Sequence, residues 1–242
     1  IRKRPGQLWV AWSMESDVNY PLLNDPAFMR AFDLEMTYRR SADIWCPYLP
    51  KEQPFADALA APVPDKTADA PVVMFQSASI DRSGRNDLAR GLMDRIAVHS
   101  YGRFLNNSQL PRDDRSGGAK RAVIGSYKFC IAFENSIGVD YVTEKFFDPL
   151  LAGTVPVYLG APNIEAFAPG PNAFVNASDF AGPDELAEYL VHLDRDDAAY
   201  RKYFAWRDNG LSDDFRRLAA AASGNPFERL SEIVAEHCAA QR

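Results

Sequence analysis

YKFCIAFENSIGVDYVTEKFFDPLLAGTVPVYLG, residues 127–160, reads as a strand, a polar loop, a helix and a second strand. Residues 129–133 form a short, apolar, partly aromatic run, too brief for a stable helix and well suited to a buried strand. The run stops at Glu134-Asn135. After a glycine-containing loop, Thr143-Glu144-Lys145 opens a helix whose apolar positions Phe146, Phe147, Leu150 and Leu151 recur at helical spacing, and Gly153 closes it. Residues 155–159 then return as a strand. A strand-helix-strand unit of this length is a parallel crossover, and sheets built from such units bind ligands beyond the carboxyl ends of their strands. Glu134, Asn135, Tyr141, Glu144 and Lys145 all fall at that edge.

Working outward, residues 72–75 read as a strand and residues 86–97 as a helix with Leu88, Leu92, Met93 and Ile96 on one face. Ser83-Gly84-Arg85 lies at the start of that helix. Its free N–H groups and dipole attract anions, and an arginine there can fork onto phosphate oxygens; an ordinary serine cap with an exposed arginine is the alternative. Further upstream, residues 8–12 alternate and read as a strand that delivers Ser13-Met14-Glu15-Ser16 to its end. An acidic residue in that position is a candidate for chemistry, although most loop carboxylates are simply solvated. Residues 32–38 and 42–47 read as further short strands. Pro50, Pro54, Pro62, Pro64 and Pro71 punctuate an Ala- and Asp-rich passage with no helical or strand period, so residues 51–71 are expected to be a linker. Residues 106–118 read as a mobile polar loop, and 174–175 as a last short strand. Beyond it the chain is helical. Pro183 opens one helix, residues 200–207 a second, and Pro226 a third that carries Phe227, Leu230, Ile233, Val234 and His237 on one stripe.

With 242 residues, 47% of them hydrophobic and 12% aromatic, the chain is long and apolar enough for one large or two small packed domains. Thirty-three acidic residues against 27 basic give a net charge of −6, and the basic residues are scattered, so nucleic acid is not an expected partner. No apolar run reaches the roughly 18–20 residues of a membrane span. Cys46, Cys130 and Cys238 are odd in number and widely spaced, which predicts buried free thiols and a reducing compartment. The first residue is Ile, which suggests a trimmed chain or a missing upstream segment.

Taken together, the polar residues suit a nucleoside diphosphate. Lys145 and Arg85 supply a point charge and a planar fork for a pyrophosphate, Glu144 can accept from a ribose diol, and Tyr141 offers a ring face and a hydroxyl. Taken singly, Glu144 is also what the positive end of any helix attracts. Other chemistries are excluded by pattern: the chain has no phosphate-binding Gly-x-x-x-x-Gly-Lys-Ser/Thr loop, no Gly-x-Gly-x-x-Gly after a strand and no Gly-x-Ser-x-Gly elbow. His99, His192 and His237 stand far apart, with no zinc-ligand spacing. The acidic pairs Asp113-Asp114 and Asp194-Asp196 read as solvated.

YKFCIAFENS followed by YVTEKFFDPLLAGTVPVYLG closely resembles the α1,3/α1,4-fucosyltransferases of glycosyltransferase family 10. WVAWSMESDVNY (residues 9–20) and MTYRRSADIWCPY (residues 36–48) are similar to the same family, with a small departure over residues 37–44. The resemblance runs from about residue 9 to about residue 180.

It implies an α/β GT-B architecture, two Rossmann-like halves facing a cleft. Residues 1–70 would be a shortened acceptor-side half ending in the Pro-rich linker, and residues 71–242 the GDP-fucose-binding half with the C-terminal helices. It implies an inverting α1,3-fucosyltransferase acting on a hydroxyl of a GlcNAc-containing glycan. By the same resemblance Glu15 matches the general base, Arg85 and Lys145 the pyrophosphate cations, Glu144 and Tyr141 the surroundings of the ribose and base, and Asn135 a donor-site amide. No cofactor and no divalent metal are implied. The anchor and paired cysteines of the animal enzymes are absent, which points to a bacterial cytoplasmic form, free or peripheral to a membrane. The alternatives are a GDP-fucose-binding module without turnover and a GT-B transferase with another nucleotide-sugar donor.

Overall fold

The computed structural model describes residues 2–110 and 117–240. The expected polar loop at 106–118 and the pair Asp113-Asp114 therefore lie partly or wholly outside the described residues.

Two parallel sheets carry the fold. The first is built from β1 (Val10–Ser13), followed by the single turn α1 (Pro26–Met29), then β2 (Leu34–Thr37) and β3 (Ile44–Trp45), in the order β1-β2-β3. A helix, α2 (Glu52–Ala60), and an extended segment lead to the second sheet. There β4 (Val72–Met74), α3 (Arg85–Met93), β5 (Val98–Ser100), α4 (Gly117–Gly125), β6 (Phe129–Phe133), α5 (Glu144–Leu151), β7 (Val155–Leu159) and β8 (Val175–Asn176) alternate. The strand order is β5-β4-β6-β7-β8, all parallel. Helices α6 (Pro183–Arg195), α7 (Asp197–Arg201), α8 (Ala205–Asn209), α9 (Asp213–Ala221) and α10 (Pro226–Ala240) complete the chain.

The expected strand-helix-strand unit is β6-α5-β7, paired from Phe129↔Val155 to Phe133↔Leu159. Every residue of both strands is buried, as a sheet covered by helices on two faces requires. Side chains of period two divide between the faces. Phe129, Ile131, Phe133, Val155, Val157 and Leu159 pack with Leu92 of α3 and with Leu186 and Leu190 of α6. Ala132 and Tyr158 face the other way, onto Phe146, Phe147 and Leu150 of α5 and Phe215 of α9. Each fully buried phenylalanine there contributes on the order of 2–3 kcal/mol. Gly153, at φ +70°, ends α5 in the left-handed conformation that a closing glycine supplies.

Three expectations differ from the structure. The Pro-rich passage contains α2, because Pro54 lies in the first helical turn, where its missing N–H has no intrahelical carbonyl to reach. The helix expected over 200–207 is broken into α7, a 3-10 turn at Lys202–Phe204 and α8, and α9 was not foreseen. Of the three free cysteines only Cys46 and Cys130 are buried; Cys238 is exposed on α10. That helix lays Leu230 and Ile233 against Met36, Ile44 and Cys46, so the end of the chain packs on the first sheet.

Strand order places the site. From β4 the chain moves to one side for β5 and then crosses to the other for β6. The direction reverses at β4/β6, and the crevice outside the carboxyl ends of those two strands is where a sheet of this kind opens to a ligand. The end of β1, carrying Glu15, faces it. The molecule is thus the expected α/β arrangement of two Rossmann-like halves about a cleft, with three strands in the first sheet among the described residues.

Candidate active site

A cleft of about 230 Å³ lies in that crevice and is lined by all six residues singled out in the sequence: Glu15, Arg85, Asn135, Tyr141, Glu144 and Lys145. Glu15 comes from the loop after β1, Arg85 from the first position of α3, Asn135 and Tyr141 from the β6–α5 connection, and Glu144 and Lys145 from the first turn of α5.

Glu15 is exposed, and the segment around it is tightly held. Its N–H donates to Ser13 Oγ at 3.2 Å, Tyr48 Oη donates to the neighbouring Met14 carbonyl at 2.7 Å, and Tyr141 Oη donates to Glu15 Oε2 at 3.2 Å. Two residues on, Asp17 receives Tyr38 Oη at 2.7 Å and Asn24 Nδ2 at 2.8 Å and pairs with Arg39. Burial works against the Asp17 carboxylate, but the hydrogen bonds from Tyr38, Asn24 and Arg39 and the Arg39 charge bring its pKa down to about 2. A carboxyl depressed on folding stabilises the fold above the unfolded pKa and loses that contribution as pH falls through the folded value. Between pH 4 and pH 2 the chain is therefore expected to lose on the order of 1 kcal/mol from this group, after allowance for solvent screening. Urea titrations at stepped acid pH, in parallel with Asp17→Asn, check this: the variant should show a shallower acid dependence.

The second half of the cleft is centred on a buried carboxylate. Glu134, wholly inaccessible, accepts from the Thr143 N–H at 2.8 Å through Oε1 and from the Thr143 hydroxyl at 2.9 Å through Oε2. Lys145 Nζ stands 3.2 Å from the same Oε2, donates to Thr143 Oγ1 at 2.9 Å and reaches Glu144 Oε1 at 3.4 Å. Burial pushes the Glu134 carboxyl up, while Lys145 and the two Thr143 bonds pull against that. Oε1 faces an N–H and Oε2 a hydroxyl and an ammonium, a set of partners that favours the carboxylate against burial. On Lys145, burial favours the neutral amine, but Glu134 and Glu144 outweigh it and hold the ammonium above its ordinary range. Gly160 leaves room for this cluster: an added Cβ would collide with Tyr158 Oη and stand 2.7 Å from Glu134 Cγ. Gly160→Ala is expected to cost about 1–3 kcal/mol by overpacking, read as a lower denaturation midpoint at unchanged m-value.

Two site expectations are corrected by this geometry. The N-terminus of α3 is not open to an anion: Asp81 already accepts from the N–H groups of Ser83, Gly84, Arg85 and Asn86 at 2.8–3.1 Å. The cap is thus an aspartate two residues before Ser83, and Gly84 takes φ +77° to bring the chain around it. Arg85 reaches the cleft by its side chain instead. Its guanidinium donates to the Phe133, Ala78 and Ile80 carbonyls at 2.9–3.2 Å, leaving a buried Nε without a partner. The ring of Tyr141, 2% exposed, is flanked edge-on by Tyr38 and Tyr48 at 5.0 and 6.4 Å, so it presents a hydroxyl to the cleft rather than an open ring face. Asn135 Oδ1 accepts from Asn19 Nδ2 at 3.1 Å and ties the β6–α5 loop to the loop that holds Glu15.

Tyr48 and residues 75–78, together with Thr143, also line the cleft and were not singled out from the sequence. The strand-end position of residues 75–78 was visible; that β4 borders the reversal point was not.

A family model described as glycosyltransferase family 10 (fucosyltransferase), C-terminal, matches residues 64–237, and one described as fucosyltransferase, N-terminal, matches residues 1–49. The chain is 41% identical over 156 residues to the dog GDP-fucose protein O-fucosyltransferase 3, covering 62% of this chain and 33% of the relative. It is 35% identical over 244 residues to a putative fucosyltransferase-like protein of Arabidopsis thaliana, covering 97% of this chain and 44% of the relative. Among solved structures, one of an α1,3-fucosyltransferase with GDP-fucose superimposes with a TM-score of 0.62 at 20% identity, covering 90% of this chain and 75% of that one. The chain thus spans a third to a half of the length of the curated relatives it matches. Those relatives are eukaryotic, so they lend nothing to the expected bacterial source. Among the described residues no helix is long and apolar enough to cross a membrane.

Proposed function

This chain belongs to glycosyltransferase family 10, the fucosyltransferases, and from that membership we propose that it moves L-fucose from GDP-fucose to an acceptor hydroxyl, with Glu15 as the general base. The observation that carries the reading is convergence: six residues from sequence positions up to 130 apart meet in one cleft at the reversal point of the sheet. In this reading residues 71–242 hold the donor and residues 1–70 face the acceptor.

The chemistry follows from the groups present. An inverting displacement needs a carboxylate on the acceptor side to take the hydroxyl proton as the new bond forms, and fixed positive charge where the nucleoside diphosphate departs. Glu15, at the end of β1, is the exposed carboxylate. Lys145 and Arg85 are the cations opposite, each already oriented by its neighbours, so little reorganisation is needed as charge develops. Glu144, half-exposed beside Lys145, accepts from the ribose, and Asn135 orients the donor. With two such cations we propose that no divalent metal is required; activity unchanged by EDTA is the corresponding result.

The acceptor we propose is a GlcNAc-containing glycan, fucosylated with α1,3 linkage. A second reading, a hydroxyl of a polypeptide, is favoured by the similarity to the dog GDP-fucose protein O-fucosyltransferase 3. Incubating the chain with labelled GDP-fucose and parallel panels of GlcNAc-terminated glycans and Ser/Thr-containing polypeptides tests both. Label in the glycan fraction supports the first, label in the polypeptide fraction the second, and GDP-fucose binding with no transfer to either marks a module without turnover.

A further inference from the structure

Glu134 plays no part in that mechanism, yet it is the most deeply buried charge at the cleft. A carboxylate with no solvent access is costly unless several donors reach it, and here three do. All three bonds run toward Lys145 or the turn just before it. The Thr143 hydroxyl donates to Glu134 Oε2 and in turn accepts from Lys145 Nζ, so carboxylate, hydroxyl and ammonium form a closed triangle. An ammonium has three N–H donors. Lys145 Nζ donates to Thr143 Oγ1 at 2.9 Å and to Glu144 Oε1 at 3.4 Å, the longer bond and the one on the half-exposed partner, while Glu134 holds it as an ion pair at 3.2 Å.

We infer that Glu134 is a positioning residue: paired with Lys145 directly and through the Thr143 hydroxyl, it holds the ammonium from the buried side and so aims its open side, now shared with Glu144, at the departing diphosphate. The inference rests on the donor reading above. It gives the two neighbouring glutamates different roles. Glu134 is a permanent partner, wholly buried beside Gly160, where an added side chain would meet both Glu134 and Tyr158. Glu144 is an exchangeable partner that yields Lys145 to the incoming anion and becomes free to accept from the sugar diol. A merely structural Glu134 would hold the loop to α5 but leave the ammonium's behaviour unchanged.

The charged and titratable groups facing Lys145 are Glu134 at the end of β6, Glu144 on α5 and Arg85 on α3; Tyr141 and Tyr158 border Glu134, and Lys120 of α4 acts on Glu144. With Glu134 neutralised, burial and Arg85 both favour the uncharged amine, and Glu144 alone opposes them. Glu134→Gln must therefore make donor binding pH-sensitive: an amide in either orientation also turns one N–H against Thr143 or Lys145.

The experiment is calorimetric titration of GDP into the 242-residue chain, Glu134→Gln, Lys145→Ala and the double variant, at pH 7 and pH 9. The inference predicts that Glu134→Gln binds about tenfold more weakly at pH 7 and loses further affinity at pH 9, where the parent changes little. It predicts that the double variant binds no worse than Lys145→Ala and is more thermally stable than it. Thr143→Val, which removes the bridging hydroxyl and with it the side-chain cap of α5, should weaken GDP in the same direction and also be non-additive with Lys145→Ala; it carries the comparison if Glu134→Gln does not fold. Additive losses, or a Glu134→Gln pH profile parallel to the parent's, would overturn the positioning role and leave the donor reading standing. A parent chain that does not bind GDP overturns both.

Discussion

Glu15→Gln is expected to lower kcat by about 10²–10⁴-fold, the usual contribution of a positioned general base, while leaving GDP affinity within about twofold. The two effects separate because of where Glu15 stands. It comes from the first sheet, whereas Arg85, Asn135, Glu144 and Lys145 come from the second, so its only link to the donor side is through Tyr141 and the adjoining loop contacts. The amide keeps the volume of the carboxylate and can still accept from Tyr141 Oη, as Glu15 Oε2 does at 3.2 Å. The loop itself is held elsewhere, by Tyr48 on the Met14 carbonyl and by the Asp17–Tyr38–Arg39 cluster. What the variant loses is the capacity to take a proton. Initial rates against both substrates check this, and a variant as active as the parent would remove Glu15 from the base role.

Lys145→Ala is expected to act on binding and folding together. Loss of an ammonium from a charge-assisted contact with a diphosphate weakens GDP by about 10–100-fold. The same change strands Glu134 as an uncompensated buried carboxylate, which costs about 3–5 kcal/mol of stability. Among the described residues only the Thr143 N–H and hydroxyl would remain to it. Urea unfolding gives the second quantity and calorimetry the first. Lys145→Ala with full stability would mean that the ion pair seen at 3.2 Å is not maintained in solution.

The central α/β unit was readable because its signals are local. The run ending at Glu134, the Thr143-Glu144-Lys145 helix start and the closing Gly153 each occupy a few consecutive residues, and β6, α5 and β7 appear where those signals put them. Membership of the cleft was readable in the same way, since strand-end polar residues gather wherever a parallel sheet ends. What the linear chain concealed is who neighbours whom. That β4 lies between β5 and β6 cannot be inferred from period or composition, and with it went residues 75–78. The partner of a buried group is equally hidden. Arg85 is held by three carbonyls and the start of α3 is capped by Asp81, although both look like open, anion-seeking groups in the sequence. Proline misled in the opposite sense: Pro54 reads as a breaker, but in a first turn it breaks nothing.

The proposed function requires this one cleft to hold one nucleotide sugar. The most direct measurement is a calorimetric titration of GDP-fucose into the chain, with GDP-mannose and a UDP-sugar as controls. Saturable binding of GDP-fucose, tighter than either control and weakened by Lys145→Ala, is the predicted result. No heat with GDP-fucose, or a preference for a UDP-sugar that Lys145→Ala leaves unchanged, would contradict it.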